Sequence, residues 1–262
     1  LGEDGLWSNI SVINAPGLNL HRAVYCARNF EYYSEDSMLT NILGKAVCQG
    51  AQSKGLMAAV KHFAYNHQET NRSGMSVFFT EQAARENELR GFQGAMAENI
   101  AGGAMTAFNR VGVDYSGASR NLLEQITRNE WGYTGAYVTD MINGADYMNW
   151  KDSLLGGGGT MLSNPTTYED TEWGAMTSDK NMKKIKADSL FQHKMKEILK
   201  TYVYTTAQSN AMNGISAGTQ IVYVNTWWQN LIVGIKYAFG ALTVILVVLY
   251  LVSLKKNGKE KE

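Results

Sequence analysis

One carboxylate in this sequence directly follows a short apolar stretch. Residues 136–139 predict a buried strand, and Asp140 comes immediately after it. In an α/β barrel the carboxyl end of each strand opens into the active site, so a carboxylate at that position is a candidate for catalysis. Asp is also a common cap for the helix that follows a strand. This stretch alone leaves both interpretations open.

Polar side chains also follow two other predicted strands. Residues 56–60 predict a strand that ends in Lys61–His62, and residues 103–108 predict one that ends in Asn109–Arg110. A barrel active site is assembled from polar groups that converge from different strand ends. A Lys–His pair taken by itself is equally consistent with solvated surface.

The elements that carry these residues alternate between strand and helix. Apolar residues recur at helical spacing in residues 39–54, 80–98, 119–128 and 180–204. A first strand is predicted over residues 11–15, where it runs into a Pro–Gly turn. Strands and helices that alternate with short linkers indicate parallel βα units. The sequence therefore predicts an α/β fold.

The composition argues against several functional classes. The chain has 262 residues, of which 45% are hydrophobic, enough for the core of one α/β domain or two small ones. Its 24 acidic and 24 basic residues balance, so charge gives no reason to expect a nucleic-acid partner. The histidines lack zinc-hydrolase spacing, and the glycine run 156–159 lacks the Lys of a phosphate-binding loop. No metal or organic cofactor is predicted. Cys26 and Cys48 can pair or stay free.

The C-terminal region has the pattern of a membrane anchor. Tyr237–Leu254 contains no charged residue and is long enough to span the ~30 Å hydrocarbon core as a helix. Upstream aromatic residues resemble the belt at a membrane interface: Tyr223, Trp227 and Trp228. A buried core helix is the alternative.

The predicted organisation follows from this anchor. It comprises a folded domain over residues 1–204, a linker over 205–226, a transmembrane helix over 227–254 and a basic tail over 255–262. The tail contains four lysines: Lys255, Lys256, Lys259 and Lys261. Under the positive-inside rule this tail is cytoplasmic, so the folded domain is expected outside the cell membrane.

Several motifs occur in an order typical of one enzyme family. They are Ala15–Asn19, Arg28–Asp36, Lys61–Phe63, Asn66–Arg72, Met105–Arg110 and Val138–Asp140. With these motifs the sequence resembles the barrel domain of glycoside hydrolase family 3, in its β-glucosidase branch. The resemblance is clear over residues 1–150 and weak over 151–205. It implies a partial TIM-type (β/α)8 barrel whose first strands lie upstream of Leu1, followed by the single transmembrane helix.

The resemblance also implies roles for individual residues. Asp140 matches the nucleophile that forms a covalent glycosyl-enzyme intermediate. Arg28, Lys61 and His62 match residues that hydrogen-bond the hydroxyls of the sugar. Retaining hydrolysis needs a second carboxylic acid ~5–5.5 Å from the nucleophile. In this branch the acid usually comes from a separate sandwich domain, which we expect upstream of this chain.

Two substrate-site positions depart from the family pattern. The family commonly has Trp where this chain has Met141, and Tyr where it has Phe108. Two functions are therefore kept. The first is a membrane-anchored retaining β-glycosidase that acts on glucosides or short oligosaccharides. The second is a carbohydrate-binding protein that retains the sugar site without turnover.

Overall fold

The structure of the protein is a computed structural model that describes residues 1–142, 147–159, 179–220, 222 and 224–259. The chain divides into two compact units, Leu1–Gly214 and Ile215–Glu262.

The first unit is organised around a parallel sheet. Its described strands are β1 (Val12–Ile13), β2 (Met57–Phe63), β3 (Ser76–Val77), β4 (Gly103–Thr106), β5 (Arg110–Val111), β6 (Asp114–Tyr115) and β7 (Ala136–Thr139). The order β1-β2-β4-β7 forms one sheet with every neighbouring pair parallel. A smaller sheet has the order β3-β5-β6. Parallel neighbours in chain order require crossover connections, which confirms the predicted βα units.

Helices supply those connections. The described α-helices are α1 (Gly2–Trp7), α2 (Ser37–Gln52), α3 (Glu81–Ala83), α4 (Arg90–Ala97), α5 (Trp150–Leu155), α6 (Asp179–Ala187), α7 (Ser189–Ala207) and, in the second unit, α8 (Trp227–Lys259). Ala84–Glu88 and Asn121–Glu130 are π-helical. Asp36 caps α2 by accepting the Leu39 N–H at 2.6 Å.

The core packs helix side chains against the sheet. One buried cluster contains Val60 and Phe63 of β2, Phe92 of α4 and Tyr137 of β7. The rings of Phe63 and Phe92 meet edge to face, with centroids 5.1 Å apart. This packing fixes β2 and β7, the two strands that carry the polar residues of interest.

The two cysteines are both free and buried. Of the two possibilities that the sequence left open for Cys26 and Cys48, the structure therefore selects the unpaired one.

Two predicted helices are interrupted. The helix predicted over residues 80–98 changes to a π-helical turn at Ala84–Glu88, where the Leu89 N–H bonds the Ala84 carbonyl at 2.8 Å. That turn carries Glu88 into the interior. The helix predicted over residues 180–204 is divided into α6 and α7, because Asp188 caps a new helix by accepting the Leu190 N–H at 2.8 Å.

Two strand ends also differ from the prediction. Lys61–His62 lies inside β2 rather than after it, and β4 ends at Thr106 rather than at residue 108. The register between β2 and β4 shifts between Val60 and Phe63. The two polar residues occupy this irregular segment. The strand predicted before Asp140 matches β7.

Packing continues past the predicted domain boundary at residue 204. Thr205 is buried, and its hydroxyl donates to the Gly102 carbonyl at 2.9 Å. The Asn210 side chain donates to the Ile10 carbonyl at 3.0 Å. The start of the predicted linker over residues 205–226 is therefore part of the first unit, which extends to Gly214.

The glycine run has a packing role. A side chain at Gly156 would overlap the backbone of Ala118, and one at Gly159 would overlap the Tyr137 carbonyl. Glycine permits this close backbone approach. Thr160, which follows the run, lies outside the described residues.

The second unit contains the apolar helix. Within α8, Trp227–Ser253 forms a 27-residue stretch with a mean hydropathy of 2.3, and its most apolar part is not buried against the rest of the protein. Its length and composition suffice to cross a membrane. The helix extends to Lys259, beyond the predicted end at residue 254. Tyr223 and Lys261, which entered the membrane prediction, lie outside the described residues.

Candidate active site

Asp140 lies at the carboxyl end of β7 and is largely buried. The residue is 9% exposed, and its N–H bonds the Thr106 carbonyl of β4 at 3.1 Å. One carboxylate oxygen, Oδ1, accepts the Met141 N–H at 2.7 Å. The other oxygen, Oδ2, faces His62. The sequence left open that Asp140 caps the following helix. The next described helix, α5, is instead capped by Asn149, whose side chain accepts the Asp152 N–H at 2.9 Å.

His62 brings β2 to the same carboxylate. Its Nε2 is 3.5 Å from Asp140 Oδ2, at the outer limit of hydrogen bonding. Asn19 holds the His62 backbone from both sides, since it donates to the carbonyl at 3.0 Å and accepts the N–H at 2.8 Å. The sheet thus brings together two residues that the sequence singled out separately, His62 and Asp140.

The imidazole of His62 is neutral. Burial lowers its pKa to about 2, and the positive charges of Arg28, Lys61 and Arg72 act in the same direction. At 2% exposure, little water reaches the ring to stabilise a charged form. The contact with Asp140 is therefore between a neutral ring and a carboxyl group, not an ion pair.

Glu31 joins the two other predicted sugar-binding residues. Its Oε2 accepts from Arg28 Nη2 at 2.5 Å, and its Oε1 lies 2.7 Å from Lys61 Nζ. Burial works against ionisation of Glu31, but the bonds from Lys61 and Arg28 outweigh it and keep its pKa below the ordinary value. Arg28 and Glu31 thus form an ion pair within one loop, and Glu31 also holds Lys61.

A second acidic residue extends this network. Glu69 lies 2.7 Å from Arg72 and 3.8 Å from Arg28, and it accepts from Asn66 Nδ2 at 3.2 Å. Sequence reasoning included these positions in the motif Asn66–Arg72 but assigned them no role. The usable signal was the presence of an acid, an amide and a base within one motif beside Lys61.

Burial raises the pKa of Asp140. The Met141 N–H and the positive charges of Arg72, Arg28 and Lys61 oppose that effect without cancelling it. All three cations are thus near enough to influence the carboxyl group, whose ionised form lies among N–H donors. Such a site suits a polyhydroxylated ligand and a reaction in which positive charge develops beside the carboxylate.

Phe108 and Met141 differ in their surroundings. Phe108 is buried, and the Arg72 guanidinium lies over its ring at 4.4 Å from the centroid. Met141 is 58% exposed next to Asp140. Phe108 therefore supports Arg72, whereas Met141 is free to contact a ligand.

Asn109–Arg110 has a mainly structural position. The Asn109 amide donates to the Ala64 carbonyl at 3.1 Å, and the Arg110 guanidinium stacks 5.0 Å from the Tyr147 ring centroid. Within the described residues, no group of three His, Cys, Asp or Glu side chains could hold a metal ion.

Comparison with protein families gives one match over most of the first unit. The model of the glycosyl hydrolase family 3 N terminal domain matches residues 3–152. That range includes Arg28, the Lys61–His62 pair and Asp140.

Individual relatives are similar over the same region. The chain is 39% identical over 155 residues to beta-glucosidase A of Butyrivibrio fibrisolvens, an alignment that covers 59% of this chain and 18% of the relative. It is 34% identical over 172 residues to thermostable beta-glucosidase B of Acetivibrio thermocellus, covering 66% of this chain and 22% of the relative.

Solved structures agree with this similarity. Beta-glucosidase 3B of Thermotoga neapolitana, in complex with alpha-D-glucose, aligns with a TM-score of 0.73 and 30% identity, over 80% of this chain and 29% of that one. The GH3 beta-glucosidase of Bifidobacterium adolescentis aligns with a TM-score of 0.70 and 27% identity, over 84% of this chain and 31% of that one. The chain thus spans under a third of the length of these relatives.

Proposed function

The chain belongs to glycosyl hydrolase family 3, and from this we propose that its full-length protein is a retaining β-glycosidase. It removes terminal sugars from glucosides or short oligosaccharides through a glycosyl–Asp140 intermediate. The proposed fold of the first unit is an incomplete (β/α)8 barrel. Its neighbouring strands are β1, β2, β4 and β7.

The observation that carries this proposal is the position of Asp140. Its carboxyl group is largely buried at a strand end, 3.5 Å from His62 and within the influence of Arg28, Lys61 and Arg72. A nucleophile needs a fixed carboxylate, and the sugar needs donors that hold its hydroxyls. In the proposed site Asp140 supplies the carboxylate, and Lys61 and His62 of β2 supply donors together with Arg28 from the loop before α2.

The proposed reaction has two steps. A carboxylate oxygen of Asp140 bonds to the anomeric carbon while the glycosidic C–O bond breaks, and the departing oxygen takes a proton from a general acid. Water then attacks the anomeric carbon, gives its proton to the same acid–base group and releases Asp140. Arg28, Lys61 and His62 hold the sugar during both steps.

We propose that the general acid comes from outside this chain. Among the described residues, Glu31 and Glu69 are the acidic residues in the Asp140 network, but each is ion-paired with two cations, and the pKa of Glu31 is lowered. A group that stays ionised is unsuited to donating a proton. We assign the acid to a sandwich domain elsewhere in the full-length protein.

The test is hydrolysis of an aryl β-glucoside by the full-length protein. Asp140→Ala should lower kcat by several orders of magnitude, whereas Asp114→Ala, at an exposed carboxylate of β6, should retain wild-type kinetics. A slow fluorinated glucoside should leave its glycosyl mass on a peptide containing Asp140. Equal hydrolysis by wild type and Asp140→Ala would refute the nucleophile assignment.

Binding without turnover remains the second candidate because of Phe108. This side chain has no hydroxyl to offer Asp140, and its ring instead packs against Arg72. If wild-type protein binds glucose but hydrolyses none of a panel of aryl glycosides, the carbohydrate-binding function is correct.

For α8 we propose a single membrane span with the first unit outside the cell and the C-terminus in the cytoplasm. The exposed, apolar stretch Trp227–Ser253 supports the span, and the lysines that follow support the orientation. Protein with Leu246→Arg and Val247→Arg should lose its resistance to carbonate extraction from membranes. Protein with Lys255→Arg and Lys256→Arg is the matched control. Equal extraction of the two variant proteins would contradict the span.

A further inference from the structure

We propose that Tyr32 is a positioning residue that fixes one tautomer of His62, so that the ring directs an Nε2–H toward Asp140. This inference rests on the proposed function for its catalytic meaning. Its geometry is independent of that function. It follows from the direction in which a chain of hydrogen bonds must run.

The direction of the chain is set at Glu69. This carboxylate lies 2.7 Å from Arg72 and 3.8 Å from Arg28, and an ionised carboxylate can only accept hydrogen bonds. The Asn66 side chain, 3.2 Å away, must therefore present its NH2 group to Glu69. The opposite amide orientation would place an oxygen against the carboxylate.

The second N–H of Asn66 passes this direction to Tyr32. Asn66 Nδ2 lies 3.4 Å from the Tyr32 hydroxyl oxygen, which accepts from it. The proton of that hydroxyl is then available to a different partner. His62 Nδ1 lies 3.5 Å from the same oxygen and can accept it.

The consequence for His62 is a single tautomer. A neutral imidazole has one N–H, and a ring whose Nδ1 accepts from Tyr32 carries its hydrogen on Nε2. That nitrogen faces Asp140 Oδ2 at 3.5 Å. The other tautomer would place a lone pair against the carboxylate and would offer a sugar hydroxyl no donor at this position.

Tyr32 itself is held in place. It is buried, the Arg28 guanidinium lies 5.9 Å from its ring centroid, and its ring meets the His62 ring edge to face at 6.4 Å. A side chain at Gly17 would come within 2.9 Å of the Tyr32 ring, so glycine makes room for it. Asn19 hydrogen-bonds only the backbone of His62 and therefore does not select a tautomer of the ring. The Tyr32 hydroxyl contacts the ring itself.

The direct test is nitrogen NMR of the full-length protein with 15N-labelled histidine. Nitrogen shifts distinguish N–H from bare imidazole nitrogens, and a His62→Gln spectrum assigns the signal. Wild type should show His62 as the Nε2–H tautomer alone, and Tyr32→Phe should show a mixture. Tyr33→Phe, at the adjacent tyrosine that packs against the core, should leave the signal unchanged.

A second variant acts at the other end of the chain. In Glu69→Gln the side-chain amide can donate as well as accept, so Asn66 is free to turn and the tautomers should mix as in Tyr32→Phe. Glu35→Gln, at an exposed acid in the same loop as Tyr32 between β1 and α2, is its control. A single unchanged Nε2–H tautomer in both Tyr32→Phe and Glu69→Gln would overturn the proposal.

Kinetics supply the catalytic readout. Tyr32→Phe should lower kcat/KM about ten-fold, the order expected for one hydrogen bond, and mainly through kcat. The acid limb of the pH dependence of kcat/KM for Tyr32→Phe should move to higher pH, because Asp140 loses the N–H donor of His62. The other groups that lower the pKa of Asp140 remain: Arg28, Lys61, Arg72 and the Met141 N–H. If the protein hydrolyses no glycoside yet shows the expected tautomers, the proposed function fails and the positioning role stands.

Discussion

Two buried histidine–carboxylate contacts among the described residues of the first unit differ in what surrounds them. His62 is 3.5 Å from Asp140, whereas His67 Nε2 is 2.6 Å from Glu88 Oε2. Glu88 is also bonded by Arg22 at 2.7 Å and is 2% exposed. Both carboxylates are buried, but only Glu88 has close partners on both oxygens that balance its charge.

The pKa values of the two acids move in opposite directions. Burial raises the pKa of Asp140, and its neighbours do not compensate. Burial alone would also raise the pKa of Glu88, but the His67 imidazole and the Arg22 guanidinium bring it below the ordinary value. The comparison separates the proposed nucleophile from a buried carboxylate whose charge is balanced by neighbouring cationic groups.

The largest difference should be in activity. Asp140→Ala should reduce kcat by more than about a thousand-fold, because no other group replaces the nucleophile. Glu88→Gln should keep kcat within a few-fold in the same aryl glucoside assay. A comparable loss in Glu88→Gln would mean that the second contact also takes part in catalysis.

The second difference concerns stability. Glu88→Gln should lower the free energy of unfolding by about 2 kcal/mol, because a neutral amide no longer balances the positive charge of Arg22 or bonds His67 as the buried carboxylate does. Asp140→Asn should instead raise it, because the ionised carboxylate is disfavoured by folding. Urea unfolding at pH 7 measures both changes. Changes of the same sign would contradict the comparison.

The third prediction is the pH dependence of these stability changes. Because the folded pKa of Asp140 is raised, the gain in Asp140→Asn should be complete at neutral pH and fade as pH falls through that folded pKa. Because the folded pKa of Glu88 is lowered, its contribution should persist down to the ordinary Glu value and be lost only below it. Unfolding of each variant against wild type over a pH series measures this, and a gain in Asp140→Asn that persists below the ordinary pKa of Asp would contradict the prediction.

The smallest effects are expected at the two departures from the family pattern. Met141→Trp adds an exposed ring beside Asp140 and should lower KM a few-fold. Phe108→Tyr adds a hydroxyl in a buried position under Arg72 and should change kcat a few-fold. Steady-state kinetics with one aryl glucoside measure both. A gain of several orders of magnitude in Phe108→Tyr would instead favour the binding function for the natural chain.

The sequence by itself determined the alternation of strands and helices and the position of Asp140 directly after a strand. Alternating apolar segments indicated βα units, and the strand before Asp140 matches β7. These signals are local, since a buried strand needs only consecutive apolar residues. The ordered motifs also indicated the family, which the family comparison confirms, and they supplied the roles proposed for Arg28, Lys61 and His62.

Only the tertiary structure decided how those residues are held. Tyr32 and His62 are 30 positions apart, and Arg22 and Glu88 are 66 positions apart, yet each pair is in contact. The π-helical turn that buries Glu88 gave no signal in a pattern that reads as one continuous helix. Hydrogen-bond direction and pKa depend on which groups packing brings together, and packing joins residues that no local pattern relates.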